Sequence, residues 1–152
     1  MCGIAGFVSS RLTEDDITSM TKALTHRGPD ASGQYYNSEN NVGFGHRRLS
    51  ILDLSENANQ PMTSHCGRYI MIFNGEIYNY KSITKELNTN LKTDSDTEVV
   101  LEAFSKWGKS FLDKLNGMFA ISIYDSQTNK LYLFRDRLGI KPLYYYWDKK
   151  NF

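Results

Sequence analysis

Tyr69-Ile70-Met71-Ile72-Phe73-Asn74-Gly75-Glu76-Ile77-Tyr78-Asn79-Tyr80 is the stretch on which the fold turns. Five apolar residues in succession predict a buried strand. It is expected to stop at Asn74-Gly75, since Asn-Gly is the strongest short hairpin signal. A hairpin needs an alternating strand on its far side, and Ile77 to Tyr80 does not supply one. That segment runs instead into a helical pattern, with Asn79 as candidate cap of a helix reaching Leu87.

Working outward, Gly3 to Val8 reads as a short buried strand bounded by Ser9-Ser10. Thr13 followed by Asp16 resembles a capping box, and Ile17, Met20 and Leu24 recur at helical spacing, predicting a helix over 13–25. Residues 34–36 and 42–44 predict a hairpin, and 53–67 a polar, turn-rich loop. Ser95 and Glu98 form a second capping box ahead of Val99, Val100, Ala103, Phe104 and Trp107. A shorter helix near 110–115, strands over 118–124 and 131–135 and a last strand over 143–147 complete the reading. Strands, two or three helices and strands again predict an α+β layered domain. The final aromatic strand has no visible partner before Phe152, so the chain is expected to be truncated at its C-terminal end.

A length of 152 residues fits one domain with a sizeable core. Eighteen basic against seventeen acidic residues leave a net charge of +1, which gives no electrostatic argument for nucleic acid or an anionic membrane. No apolar run approaches a membrane span of about 18 residues or more, and no signal peptide is visible. Cys2 and Cys66 have no zinc-type spacing, and no metal site is expected. A cytoplasmic protein is the expectation. The Tyr144–Trp147 cluster is expected in the core rather than as a stacking platform. Cys66 is expected to be an inert loop or core residue, and His26, His46 and His65 are expected in structural or solvent roles.

Three constellations could carry chemistry. If Met1 is removed, Cys2 carries a thiol and a free α-amine, and an α-amine of pKa about 7.7–8.0 can serve as base to its own residue's nucleophile. By position alone, Cys2 could equally be a small residue entering a strand. Asn74 and Gly75 could donate a side-chain amide and a backbone N–H to a developing oxyanion; a tight turn is the alternative. Arg48 could grip a carboxylate through two parallel bonds, and Asp96 could accept from an ammonium, which is the charge pair a free α-amino acid needs. Otherwise Arg48 is a surface charge and Asp96 a favourable first-turn residue. No phosphate-binding glycine loop occurs, so nucleotide binding is not expected.

Six motifs now stand in order: Met1-Cys2-Gly3-Ile4, His26-Arg27-Gly28-Pro29-Asp30, His46-Arg47-Arg48-Leu49-Ser50-Ile51, Asn74-Gly75-Glu76-Ile77-Tyr78-Asn79, Ser95-Asp96-Thr97-Glu98 and Arg135 to Tyr144. Together they resemble the glutaminase domain of class II glutamine amidotransferases, in particular of glutamine-hydrolysing asparagine synthetases. The resemblance spans the whole chain. It implies an N-terminal nucleophile hydrolase fold, a four-layer αββα sandwich of two antiparallel sheets between helices. It implies Cys2 as nucleophile with its own α-amine as base, and Asn74 and Gly75 as oxyanion hole. Arg48 then holds the glutamine α-carboxylate, Glu76 and Asp96 hold the α-amino end, and the backbone of Leu49 and Ile51 lines the pocket.

The implied partners are L-glutamine and a synthetase domain or separate synthetase chain; a homodimer is possible. No cofactor is expected in this chain, because ATP and magnesium belong to the synthetase domain, whose pyrophosphate loop is absent here. Two other readings stay open at this point: a non-catalytic glutamine-binding or interaction module, and an N-terminal-nucleophile amidase acting on another amide.

Overall fold

The computed structural model describes residues 2–50 and 55–152. The chain runs β1 (Gly3–Val8), α1 (Glu14–Ala23), β2 (Ala31–Asn37), β3 (Val42–Arg48), β4 (Met62–Thr63), β5 (Tyr69–Ile77), α2 (Tyr80–Leu87), α3 (Asp96–Trp107), β6 (Gly117–Asp125) and β7 (Lys130–Arg135). Short 3-10 turns occupy Thr25–Arg27, Glu56–Ala58 and Gly108–Asp113. The strands form two antiparallel sheets, ordered β1-β3-β2 and β4-β5-β6-β7.

The period of two along each strand sorts side chains into layers. Val42 and Phe44 of β3 meet Ile70 and Ile72 of β5 and Tyr124 of β6 in one cluster, which fills the space between the sheets. The odd-numbered Met71, Phe73 and Ile77 face the other way and pack with Ile83, Leu87, Val99, Val100 and Phe104 of α2 and α3. On the outer face of the first sheet lies α1, so close that a Cβ at Gly45 would sit 1.9 Å from Thr21 Oγ1. The order is helix, sheet, sheet, helices: the αββα sandwich. Each large apolar side chain fully buried in these layers contributes roughly 1.5–3 kcal/mol.

Two expectations are corrected. β5 does not stop at Asn74-Gly75 but continues to Ile77, with Gly75 opposite Phe119 of β6. Glycine is there for room: a Cβ would lie 2.4 Å from the Met118 carbonyl oxygen and 2.9 Å from Phe119 Cα. The predicted strand over 143–147 is not formed, and its aromatics are not core. Tyr144 is 90% and Trp147 65% exposed, because no described strand lies alongside to pair with the segment. The chain turns at Asp148, and Phe152 exchanges both main-chain bonds with Val8 on the outer edge of β1 (2.8 and 3.0 Å).

Smaller differences concern helix ends. The helix expected over 13–25 ends at Ala23 and passes into the Thr25–Arg27 turn. Ser95 Oγ accepts from the Glu98 N–H (3.4 Å), but the Glu98 carboxylate does not close the box; it takes bonds from the N–H groups of Lys92 and Thr93 instead. Among the described residues no helix is long and apolar enough to cross a membrane.

Candidate active site

At one end of the inter-sheet layer the alternation of β3 and β5 changes from apolar to polar. After Val42 and Phe44 come His46 and Arg48; after Ile70 and Ile72 come Asn74 and Glu76. Cys2 stands just before β1, on the same parity as Ile4, which packs against the inter-sheet cluster. A cavity of about 130 Å³ opens here, lined by Cys2, Arg48, Leu49, Gln60, Asn74, Gly75, Glu76, Asp96, Thr97, Met118 and Lys141 among others.

The half-buried Cys2 Sγ accepts from the Leu49 N–H at 3.5 Å and lies 3.8 Å from the Leu49 carbonyl oxygen. Arg27 Nε donates to the Cys2 carbonyl at 3.1 Å, fixing the residue's backbone from the α1 side. Arg48 is buried, and its Nη1 donates to the Ser55 carbonyl and to Asn59 Oδ1, each at 2.8 Å. One guanidinium thereby ties the end of β3 to Ser55 and Asn59, on either side of Ala58, which lines the cavity.

The geometry of β5 is the more informative. In an antiparallel ladder the N–H and C=O of one residue point to the same side, and successive residues alternate. Tyr69 bonds toward β4, its carbonyl accepting from the Ser64 N–H; so the odd residues of β5 all point that way. Beyond Met71 there is no β4 left to receive them. The Phe73 N–H is taken by Gln60 Oε1 at 2.6 Å, and the Ile77 N–H by Asp96 Oδ2 at 2.9 Å. Between them the Gly75 N–H points to the vacated edge. The facing residue agrees: Phe119 accepts from the Asp136 N–H with its own carbonyl, so its main-chain groups turn toward the β7 side and not toward Gly75. No hydrogen bond engages the Asn74 carboxamide among the described residues, although Asn74 is only 6% exposed.

Among the described residues four charged side chains line the cavity, two of each sign: with Arg48 and the two carboxylates stands the buried Lys141. Arg48 comes from the first sheet; Glu76 from β5 and Asp96 from the first turn of α3 supply carboxylates. Burial pushes the Asp96 carboxyl up to about 6; its bond from the Ile77 N–H opposes the rise, and repulsion from Glu76 adds to it. Behind the cavity, burial between the sheets lowers the His46 imidazole to about 4, so this histidine is neutral, and its Nε2 has no hydrogen-bond partner among the described residues. His65 Nε2 lies 2.6 Å from Glu98 Oε1. Burial alone would raise Glu98, but bonds from Lys92, Thr93 and His65 outweigh it and hold the carboxyl below its usual range.

Cys2, Arg48, Leu49, Asn74, Gly75, Glu76 and Asp96 all line this one cavity. Ile51 falls in 51–54, outside the described residues. Sequence reasoning passed over Gln60, Thr97, Met118 and Lys141. Gln60 sat in a stretch read only as a polar loop, and Lys141 inside a motif that had carried no individual role. Cys66 is exposed on the β4–β5 turn, within reach of the Ser64 and Ser105 hydroxyls and away from the cavity.

Comparison with known proteins now adds to this geometry. The glutamine amidotransferase domain family matches residues 1–152, the whole chain. The chain belongs to this family. A Methanocaldococcus jannaschii protein named putative asparagine synthetase [glutamine-hydrolyzing] 2 is 40% identical over all of the chain and 33% of its own length. Asparagine synthetase [glutamine-hydrolyzing] 2 of Bacillus subtilis is 43% identical over 95% of the chain and 20% of its own length. A Gibberella zeae protein named amidase chry2 is 35% identical over 95% of the chain and 24% of its own length. This amidotransferase chain thus spans between a fifth and a third of these relatives. The Bacillus subtilis glutamine phosphoribosylpyrophosphate amidotransferase shares the fold, with a TM-score of 0.75 over 93% of the chain and 38% of the other, at 18% identity.

Proposed function

We propose that this chain hydrolyses the side-chain amide of L-glutamine and passes the ammonia to an ATP-dependent synthetase partner of the asparagine-synthetase type. The observation that carries the reading is the vacated edge of β5. A thiol, a carboxamide and an uncommitted strand N–H border the same cavity as a guanidinium and two carboxylates. Relatives named glutamine-hydrolysing asparagine synthetases support the substrate and the partner.

In this mechanism Arg48 binds the α-carboxylate of glutamine, while Asp96 and Glu76 bind its α-ammonium. The backbone of Leu49 and Ile51 lines the pocket between them. The α-amine of Cys2, free once Met1 is removed, takes the thiol proton, and Sγ attacks the amide carbon. Negative charge gathers on the amide oxygen, where the Asn74 amide and the Gly75 N–H donate to it. Such donors act before any reorganisation is needed, and one of them is worth roughly 10²–10³ in rate. The tetrahedral adduct collapses as the α-ammonium of Cys2 returns its proton to the leaving nitrogen. Ammonia departs and a γ-glutamyl thioester remains. Water, deprotonated by the same amine, attacks the thioester, releasing glutamate and restoring the thiol. ATP and magnesium act in the synthetase partner, and the reaction is placed in the cytoplasm, where both cysteines can stay reduced.

The test is glutamate release from L-glutamine by the purified chain, with the state of Met1 read from intact mass. Met-free chain that releases glutamate, and loses that release on Cys2→Ala, is the expected result. Release that survives Cys2→Ala overturns the assignment.

A further inference from the structure

The vacated edge of β5 exposes a task that none of the residues assigned so far performs. The Gly75 N–H and the Asn74 amide are useful only if the strand that carries them is held still, and the ladder that would hold it ends at Met62. Extending the β4 register places Gln60 opposite Phe73, after Met62 opposite Met71 and Thr63 opposite Ile70. Gln60 does not make the next ladder bond with its backbone. Its main-chain carbonyl is turned toward β2 of the other sheet, so close that a Cβ at Gly33 would lie 2.0 Å from that oxygen. The side chain takes over: Oε1 accepts the Phe73 N–H at 2.6 Å, and Nε2 donates to Thr97 Oγ1 at 3.4 Å.

Thr97 adjoins Asp96, whose carboxylate accepts the Ile77 N–H. A circuit results, from Phe73 through Gln60, Thr97 and Asp96 to Ile77, and it frames the Gly75 N–H on both sides. Gln60, Thr97 and Asp96 are each about nineteen-twentieths buried, at 6%, 5% and 6% exposure, so these bonds are not exchanged for bulk water.

We infer that Gln60 is a positioning residue for glutamine hydrolysis: it substitutes for the missing strand at Phe73 and so fixes Asn74 and the Gly75 N–H relative to Cys2. The inference rests on the glutaminase reading of the site. A carboxamide is the side chain the place requires. It accepts from a backbone N–H and donates to a hydroxyl at once, and it adds no third carboxylate beside Glu76 and Asp96.

Gln60→Met keeps the length and loses both bonds; Gln60→Glu keeps an acceptor for the Phe73 N–H. Misplacement of a catalytic group by about 1 Å costs roughly 10²-fold, so Gln60→Met should lower kcat by about that factor while KM for glutamine moves less than about threefold. Gln60→Glu should recover kcat by about tenfold or more over Gln60→Met. Because both act on the same donor pair, Gln60→Met combined with Asn74→Ala should fall short of the product of the single effects. In backbone amide spectra, Gln60→Met should shift Asn74 and Gly75 and speed exchange of the Phe73 N–H, with the melting transition still cooperative.

A Gln60→Met enzyme within about twofold of wild type in kcat, or one whose loss lies wholly in KM, overturns the positioning role. If the unaltered Met-free chain releases no glutamate, the functional reading fails instead. The amide spectra then decide the positioning claim by themselves, and unchanged Asn74 and Gly75 resonances refute it.

Discussion

Asp96 makes a prediction in which stability and binding move in opposite directions. The carboxyl is buried in the cavity wall at 6% exposure, and its pKa stands at about 6 against an ordinary 3.8. Burial is the main cause, and the neighbouring Glu76 adds to it. The difference of about two units, at 1.36 kcal/mol each, means that ionised Asp96 costs the empty protein about 3 kcal/mol. The sign follows from the direction. The folded pKa lies above the unfolded one, so the contribution is fully present below about pH 4 and is lost as pH rises through about 6. Asp96→Asn keeps an oxygen for the Ile77 N–H and never ionises. At neutral pH it should therefore be more stable than the unaltered chain, by up to about 3 kcal/mol, and the gap should close toward pH 4. Denaturant unfolding across that range reads it directly. Glutamine binding should run the other way. Asp96→Asn should lose it, and in the unaltered chain KM should rise about tenfold per pH unit below about 6, as the ammonium's partner is neutralised. An Asp96→Asn chain no more stable than the unaltered one at neutral pH would refute the electrostatic reasoning. A KM flat between pH 5 and 7 would remove Asp96 from the ammonium site.

Cys2→Ala should abolish glutamate release and leave the unfolding midpoint unchanged, since among the described residues the half-buried thiol's hydrogen bonds run to the Leu49 backbone; a coupled glutamate assay and a melt check both halves. Arg48→Ala should raise KM for glutamine far more than it lowers kcat, and an unchanged KM would take Arg48 out of carboxylate binding. Gly75→Ala drives a methyl to within 2.4 Å of the Met118 carbonyl and should cost about 2 kcal/mol in denaturant unfolding. Asp125, buried and held well below the usual carboxylate range by the Arg68 guanidinium, contributes stability present above about pH 4 and lost on acidification. Asp125→Asn should accordingly be less stable at neutral pH and converge with the unaltered chain in acid.

The helix Asp96–Trp107, capped by Ser95, and the apolar core of β5 were legible because the causes are local: a cap ahead of apolar residues at helical spacing, or a run of buried residues. The end of β5 was not. Asn-Gly is a turn signal when nothing else constrains it, and here the glycine answers to Met118 and Phe119 on a strand formed much later in the chain. The aromatics of 144–147 mislead in the same way, since β-propensity becomes a strand only when the segment itself runs along an edge, and on the outer edge of β1 it is Phe152 that pairs with Val8. Within the site, the charged and nucleophilic residues announced themselves by type and order. Gln60 could not, because a neutral amide in a polar loop differs from its neighbours only by what it touches.

That difference bears on how the cavity arises. A sheet edge with unpaired N–H groups is a liability, and proteins shorten, cover or charge such edges. Here β4 is two residues long, so β5 carries three edge-facing donors past its end, at Phe73, Gly75 and Ile77. Gln60 covers the first and Asp96 the third, each with a buried side chain that belongs to another element. Had the middle position borne a side chain, β6 would have been forced away from β5; as glycine it stays paired and leaves its N–H facing the cavity. The alternation that turns that N–H outward also turns Asn74 and Glu76 toward the sheet carrying Arg48 and following Cys2. One short strand and one glycine therefore place an anion-seeking donor, its companion amide and a carboxylate in a fixed relation. The remaining charges need only be delivered to it by β3 and by the first turn of α3.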